Sequence, residues 1–261
     1  MNQDNNNISR RRFFQFGLGA AGTIAASSSV AKVCGIKTGE QGLGPFFPRP
    51  DTPIDPVKEN KDPEVPIFLS NDNDLTFVQG REGKASGQVV NIKGVLTDES
   101  CKPIAGATII VWQASESGRY NHKGDAANTD FKDPRDGKLI KRTLDPYFQS
   151  WGQTTTNELG EYEFKTIVPG FYPADLNNGW YRPPHIHFMV SAMGFPQFVT
   201  QMYFRGEMIK DNEFVQELNE VDFLLQGANL TPVQREKLIV DFEPMIDSEE
   251  LTGKFDLVIA K

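Results

Sequence analysis

From residue 87 onward the chain is a succession of short apolar runs separated by turn-forming residues, and that rhythm limits what it can fold into. GQVVNIKGVLTD is followed by the turn-like ESCKPIAG and then by ATIIVWQAS. NELGEYEFKTIVPG alternates at Tyr162 and Phe164 and, loosely, Ile167. HIHFMVSA, the turn region MGFPQ and FVTQMYF predict a strand pair, and KFDLVIA closes the chain. Short strands with turns between them predict a mainly β fold, an antiparallel β-sandwich. One or two short helices are expected, the clearest near 232–240, where Thr231 caps and Pro232 takes the first helical position. The long polar stretch 116–153 is expected to form a functional loop.

The rest of the chain divides around that domain, which is expected to span 81–261. Residues 32–80, with GPFFPRPDTPIDPVKENKDPEVP, predict an extended Pro-rich lead, docked through Phe46 and Phe47. Residues 1–31 combine SRRRFFQ, a short Gly- and Ser-rich apolar run and a small-residue site ending at Ala31. That is the pattern of a twin-arginine export signal, implying a periplasmic or secreted protein with no stable membrane insertion after cleavage. The apolar run falls short of the ~20 residues a membrane span needs. A net charge of −8 and a pI near 5.0 exclude nucleic acid and anionic membrane surfaces as partners. The two cysteines, Cys34 and Cys101, are too few for a disulfide framework or a thiolate zinc cluster. They could be paired, free or, for Cys34, lipidated.

The chemistry concentrates in YRPPHIHF, residues 181–188, which holds two of the three histidines. On a strand His185 and His187 point to one face, so both imidazoles converge, and convergent imidazoles suit a metal. Zinc would ask for a third histidine or a carboxylate, and a ferrous site for one carboxylate, such as Asp125 or Asp175. His122 is the remaining histidine, in a loop that could reach a pocket mouth. Tyrosine offers another route. Tyr172 lies thirteen residues before His185, and Tyr120 follows the strand that ends near Trp112. Two phenolates with two neutral imidazoles suit a hard trivalent ion such as Fe(III).

The runs VWQASESGRYNHKGD, TTTNELGEYEFKTIVPGFYP, YRPPHIHF and TQMYF resemble the intradiol ring-cleavage dioxygenases, most closely the protocatechuate 3,4-dioxygenase type. The resemblance covers about residues 87–204, the GPFFP lead and the closing GKFDLVIA. It implies one non-haem Fe(III) per chain, held by Tyr120, Tyr172, His185 and His187. In such enzymes the tyrosine matching Tyr172 leaves the metal as the diol binds. The arginine matching Arg182 lies over the substrate ring, and the glutamine matching Gln201 assists by hydrogen bonding. The substrates implied are a small aromatic diol and O₂, the product a cis,cis-muconate, and a homo-oligomer or a related second chain is compatible.

Four positions depart from the family pattern: Cys101 at a turn that usually takes Gly or Ser, Ile110 before the WQ pair, Ala174 after PGFYP, and Tyr181 before Arg182. Ala174 and Tyr181 leave the substrate open, while no departure touches a proposed ligand. Trp112 and Trp180 are expected to serve packing. Two rival functions stay open: an exported β-sandwich binding module without turnover, and a zinc or Fe(II) enzyme on the same histidine pair.

Overall fold

Val90, Ile92 and Leu96 alternate inward along β1 (Val89–Asp98), and all three are fully buried. β1 pairs antiparallel with β6 (Glu161–Ile167), placing Ile92 opposite Phe164 and Gly94 opposite Tyr162. Gly94 has no substitute there, because a Cβ would collide with the Phe255 carbonyl. The closing segment runs parallel to β1 in two pieces, β12 (Leu251–Lys254) and β13 (Leu257–Ile259). Between them Asp256 turns its carboxylate to accept from Val95 N at 3.0 Å.

The second layer is built on β2 (Thr108–Gln113), which lies between β5 (Trp151–Thr155) and β9 (His185–Ser191), antiparallel to both. β9 turns through MGFPQ into β10 (Phe198–Arg205), the expected strand pair. β10 runs parallel to β11 (Ile239–Pro244), which pairs with β12 and joins the layers. Phe188 of β9 meets Tyr162, Phe164 and Phe255 at ring separations of 6.3, 6.1 and 5.0 Å, so the layers close over one apolar core.

The sandwich is therefore as the alternation predicts, with three parallel pairings added by long crossovers. The computed structural model describes residues 35–49, 72–125 and 130–261, so the expected export signal and Cys34 lie outside the described residues. Cys101 is disulfide-bonded and holds φ at 67°, the left-handed backbone its turn requires.

Two short hairpins flank the sandwich: β3 (Phe131–Lys132) with β4 (Leu139–Ile140), and β7 (Tyr172–Asp175) with β8 (Trp180–Arg182). Two α-helices complete the fold of the described residues. α2 (Pro232–Leu238) has the expected Thr231 cap, closed by Gln234 into a capping box. α1 (Asn212–Val221) begins at a left-handed Asp211 whose side chain makes no cap, which is why its start carries no sequence signal. No helix among the described residues is long and apolar enough to cross a membrane.

Candidate metal centre

β9 is buried on both faces. Ile186, Phe188 and Val190 enter the inter-sheet core, while His185, His187 and Met189 face the other way. β2 and β10 obey the same alternation, so Trp112, Gln201 and Tyr203 share the face of the histidines. This face is closed over by loops and by the lead. Gln41 N donates to Val199 O at 2.9 Å and Thr200 Oγ1 donates to Gly39 O at 2.6 Å, which lays residues 39–41 along β10. Phe46 then packs at a tilt against Tyr120 at 4.7 Å, and Phe47 meets the Trp112 ring edge-on at 4.9 Å.

Tyr120 Oη lies 3.1 Å from Nε2 of both His185 and His187. The Tyr172 ring is 5.6 Å from that of Tyr120 and 5.8 Å from that of His185. The structure thus brings together the four residues singled out by sequence. His185 Nδ1 contacts Pro183 O at 2.7 Å, so it carries the ring proton as donor and leaves the Nε2 lone pair inward. Burial first, then the Arg182 charge, holds both imidazoles well below their ordinary pKa, with each neutral at pH 7. Burial raises both phenols, and the neighbouring Arg182 charge works against it.

As a set of protein atoms alone this cluster is short of partners. One Tyr120 hydroxyl proton faces two imidazole nitrogens, and His187 Nδ1 is buried with no hydrogen-bond partner among the described residues, its ring stacked on Trp112 at 4.7 Å and 9°. Two neutral imidazoles and two phenols are a donor set into which a hard trivalent cation fits. Trp112 is thus a wall of the site as well as packing.

The carboxylates offered by the zinc or ferrous alternative are occupied elsewhere. Asp125 accepts from Tyr120 N at 2.8 Å and from Arg142 Nη2 at 3.0 and 3.2 Å, and Asp175 caps its own turn through Asn178. Among the described residues no group of three His, Cys, Asp or Glu side chains gathers for a metal.

Arg142 also donates to Gly118 O and lies 5.5 Å from the Tyr172 ring, so it ties together the loops bearing both tyrosines. Those loops touch at Gly118, where a Cβ would strike the Phe171 carbonyl. His122 is buried beside Phe46 and accepts from Gly124 N. Tyr181 packs on Phe131 and Phe171, outside the donor cluster.

Arg182 is buried and fully engaged on one edge: Nε to Asp222 Oδ2 at 2.7 Å, and Nη2 to Gln201 Oε1 at 2.6 Å and Tyr203 Oη at 3.2 Å. Asp222, Tyr203, Gln41 and Arg142 are residues the sequence did not disclose, and Asp125 stands out there only as a possible metal ligand. An isolated Asp or Gln carries no periodic signal, and only the tertiary fold supplies its partner.

A family model described as Dioxygenase matches residues 64–260. The beta chain of a protocatechuate 3,4-dioxygenase from Burkholderia cepacia is 33% identical over 222 residues, covering 80% of this chain and 83% of that one. A hydroxyquinol 1,2-dioxygenase from a Rhizobium strain is 29% identical across 45% of this chain and 38% of its own length. Among solved structures, an intradiol ring-cleavage dioxygenase from Tetranychus urticae superposes with a TM-score of 0.53 at 26% identity, covering 86% of this chain and 95% of its own. The chain belongs to this dioxygenase family. Within it, the chain is a ring-cleavage enzyme of the intradiol kind, a group that is generally Fe(III)-dependent.

Proposed function

We propose that the enzyme cleaves a catechol-type ring (protocatechuate, catechol or a derivative) between its two hydroxyl-bearing carbons, with O₂ as co-substrate, to give a cis,cis-muconate. The observation that carries the reading is the convergence of Tyr120 Oη on both histidine Nε2 atoms, beside Tyr172 and the buried Arg182. Tyr120, Tyr172, His185 and His187 would hold one Fe(III). When bound, that ion supplies the Lewis acidity that chelates the diol and makes its ring reactive toward O₂.

The protein's own groups do the remaining work. A catechol that binds as a dianion gives up two protons on binding: Tyr172, once held as a phenolate, would accept one at Oη, and the other would leave to solvent-derived hydroxide. The positive charge of Arg182 lowers the cost of a phenolate at Tyr172 and faces the negative charge that develops on the substrate. Gln201 keeps that guanidinium in place. Trp112, Phe46 and Phe47 exclude water from the reacting face. In keeping with its first 31 residues, the enzyme would work outside the cytoplasm after twin-arginine export, alone or paired with a related chain.

A visible absorption spectrum of the iron-loaded protein, recorded before and after adding a catechol, tests the reading. Tyrosinate ligation of Fe(III) gives a burgundy colour that shifts to longer wavelength on chelation and is lost in both Tyr120→Phe and Tyr172→Phe. A colourless protein holding stoichiometric zinc overturns it.

A further inference from the structure

Arg182 sits in a closed circuit of side chains drawn from four separate segments. Its Nε donates to Asp222 Oδ2 at 2.7 Å. Asp222 stands at the end of α1 and is fully buried. Its Oδ1 accepts from Leu224 N and Leu225 N at 3.1 and 2.8 Å, and its Oδ2 also accepts from Trp180 Nε1 at 3.3 Å. The carbonyl of Leu224 accepts from Gln41 Nε2 at 3.0 Å, and the same amide nitrogen lies 3.1 Å from Tyr203 Oη. Tyr203 Oη returns to Arg182 Nη2 at 3.2 Å, beside Gln201.

The circuit uses one edge of the guanidinium. A guanidinium has five N–H donors in a fixed plane. Nε and Nη2 are consumed by Asp222, Gln201 and Tyr203, whereas Nη1 has no acceptor among the described residues. Because the fork is rigid, fixing Nε and Nη2 fixes the direction of Nη1. Asp222 is the one anion in the circuit, and its bond to Nε is charge-assisted at both ends.

We propose that Asp222 is a positioning residue for this reaction: it sets which edge of Arg182 is presented to the substrate, with Tyr203 holding Nη2 on the same edge and Gln41 supporting Tyr203. The assignment rests on the dioxygenase reading above, in which Arg182 faces charge developing on the ring. Asp222 does not touch the substrate. It acts through Arg182, so its loss lowers kcat with little change in KM, because an interaction that strengthens only in the transition state is weakened.

The test compares iron-loaded wild type, Asp222→Asn, Arg182→Lys and the double variant on a catechol panel, with the visible spectrum as a check on the ligands. Asp222→Asn is expected to keep the tyrosinate band and lose about 100-fold in kcat, the scale of an ångström-level misplacement. In the Arg182→Lys background the same change should cost less than about threefold, because residues acting as a unit are non-additive. Equal losses in both backgrounds mean that Asp222 merely supports the fold, and overturn the proposal.

If Asp222→Asn does not fold, Gln41→Leu opens the circuit on its far side, and a smaller fall in kcat with the same non-additivity is expected. Crystal structures of the variant hold independently of turnover. A guanidinium released from Gln201 and Tyr203 supports the assignment, and one unmoved on both overturns it. Absence of turnover in the wild type on every diol counts against the proposed function, and the crystal structures then decide the role of Asp222.

Discussion

Strands β9 and β10 bury both of their faces, and the two faces are chemically opposite. On one, Ile186, Phe188, Val190, Met202 and Phe204 fill the inter-sheet core with no polar atom among their side chains beyond the Met202 sulfur. On the other, one residue away at each step, His185, His187, Gln201 and Tyr203 are equally removed from water. Burial alone therefore does not distinguish core from site. The apolar face gains free energy from every contact it makes. The polar face is buried at a cost for each group left without a partner, about 1–3 kcal/mol apiece. It holds its shape because Arg182 and Gln41 satisfy Gln201 and Tyr203, the Pro183 carbonyl satisfies His185, and a cation can complete the rest.

If that contrast is right, neighbouring substitutions should separate stability from chemistry. His187→Ala should reduce bound iron and turnover to background. The cavity it leaves and the desolvation it relieves offset, so the metal-free fold stays within about 2 kcal/mol of wild type. Iron content per chain, activity and the denaturant midpoint measure all three. Phe188→Ala, one residue along, should cost about 3–5 kcal/mol in denaturant unfolding, while the molecules that stay folded keep the tyrosinate colour. Should His187→Ala unfold the protein as readily as Phe188→Ala, the contrast between the faces breaks.

A smaller effect is expected at Gly44. Its φ of 70° suits glycine, and a Cβ there would sit 3.2 Å from His187 Cε1. Gly44→Ala should lower stability by about 1–2 kcal/mol and move the visible band, since its strain is delivered to a proposed ligand. Smallest of all is a control at an ion pair outside the donor cluster, between buried Asp133 and the more exposed Arg135. Asp133 is held below its ordinary pKa of 3.8 chiefly by its hydrogen bond to Arg135. A depressed carboxylate adds stability above its unfolded pKa and loses it as pH falls through the folded value. Asp133→Asn should therefore cost less than about 1 kcal/mol at pH 7 and nothing in strong acid, with activity unmoved, as paired urea titrations would show.

How much of this was legible in the sequence follows from the range of each signal. Alternation along HIHFMVSA put both histidines on one face, and Thr231–Pro232 marked α2, because both effects act within a few residues. The tyrosines became meaningful only as a constellation, through resemblance. Arg182 and Gln201 were visible in the same way, but their partner was not. Asp222 lies forty residues beyond Arg182 with no periodicity to single it out, and Gln41 is 162 residues from Tyr203. Period two states which face a residue occupies, and is silent about what will stand opposite. The parallel pairings of β1 with β12 and β13 were hidden for the same reason, since they depend on crossovers and leave no local trace.

The docking of the lead has a consequence for the order in which this enzyme assembles. Thr38 exchanges hydrogen bonds with Val258, Gln41 pairs with Val199, and Gly44 and Phe46 rest on His187 and Tyr120. Residues made early by the ribosome thus wait for strands made last before they can settle. Until those strands are made, the lead has nothing to dock on and cannot cover the centre. A metal bound at this centre would find its widest access before that seal forms.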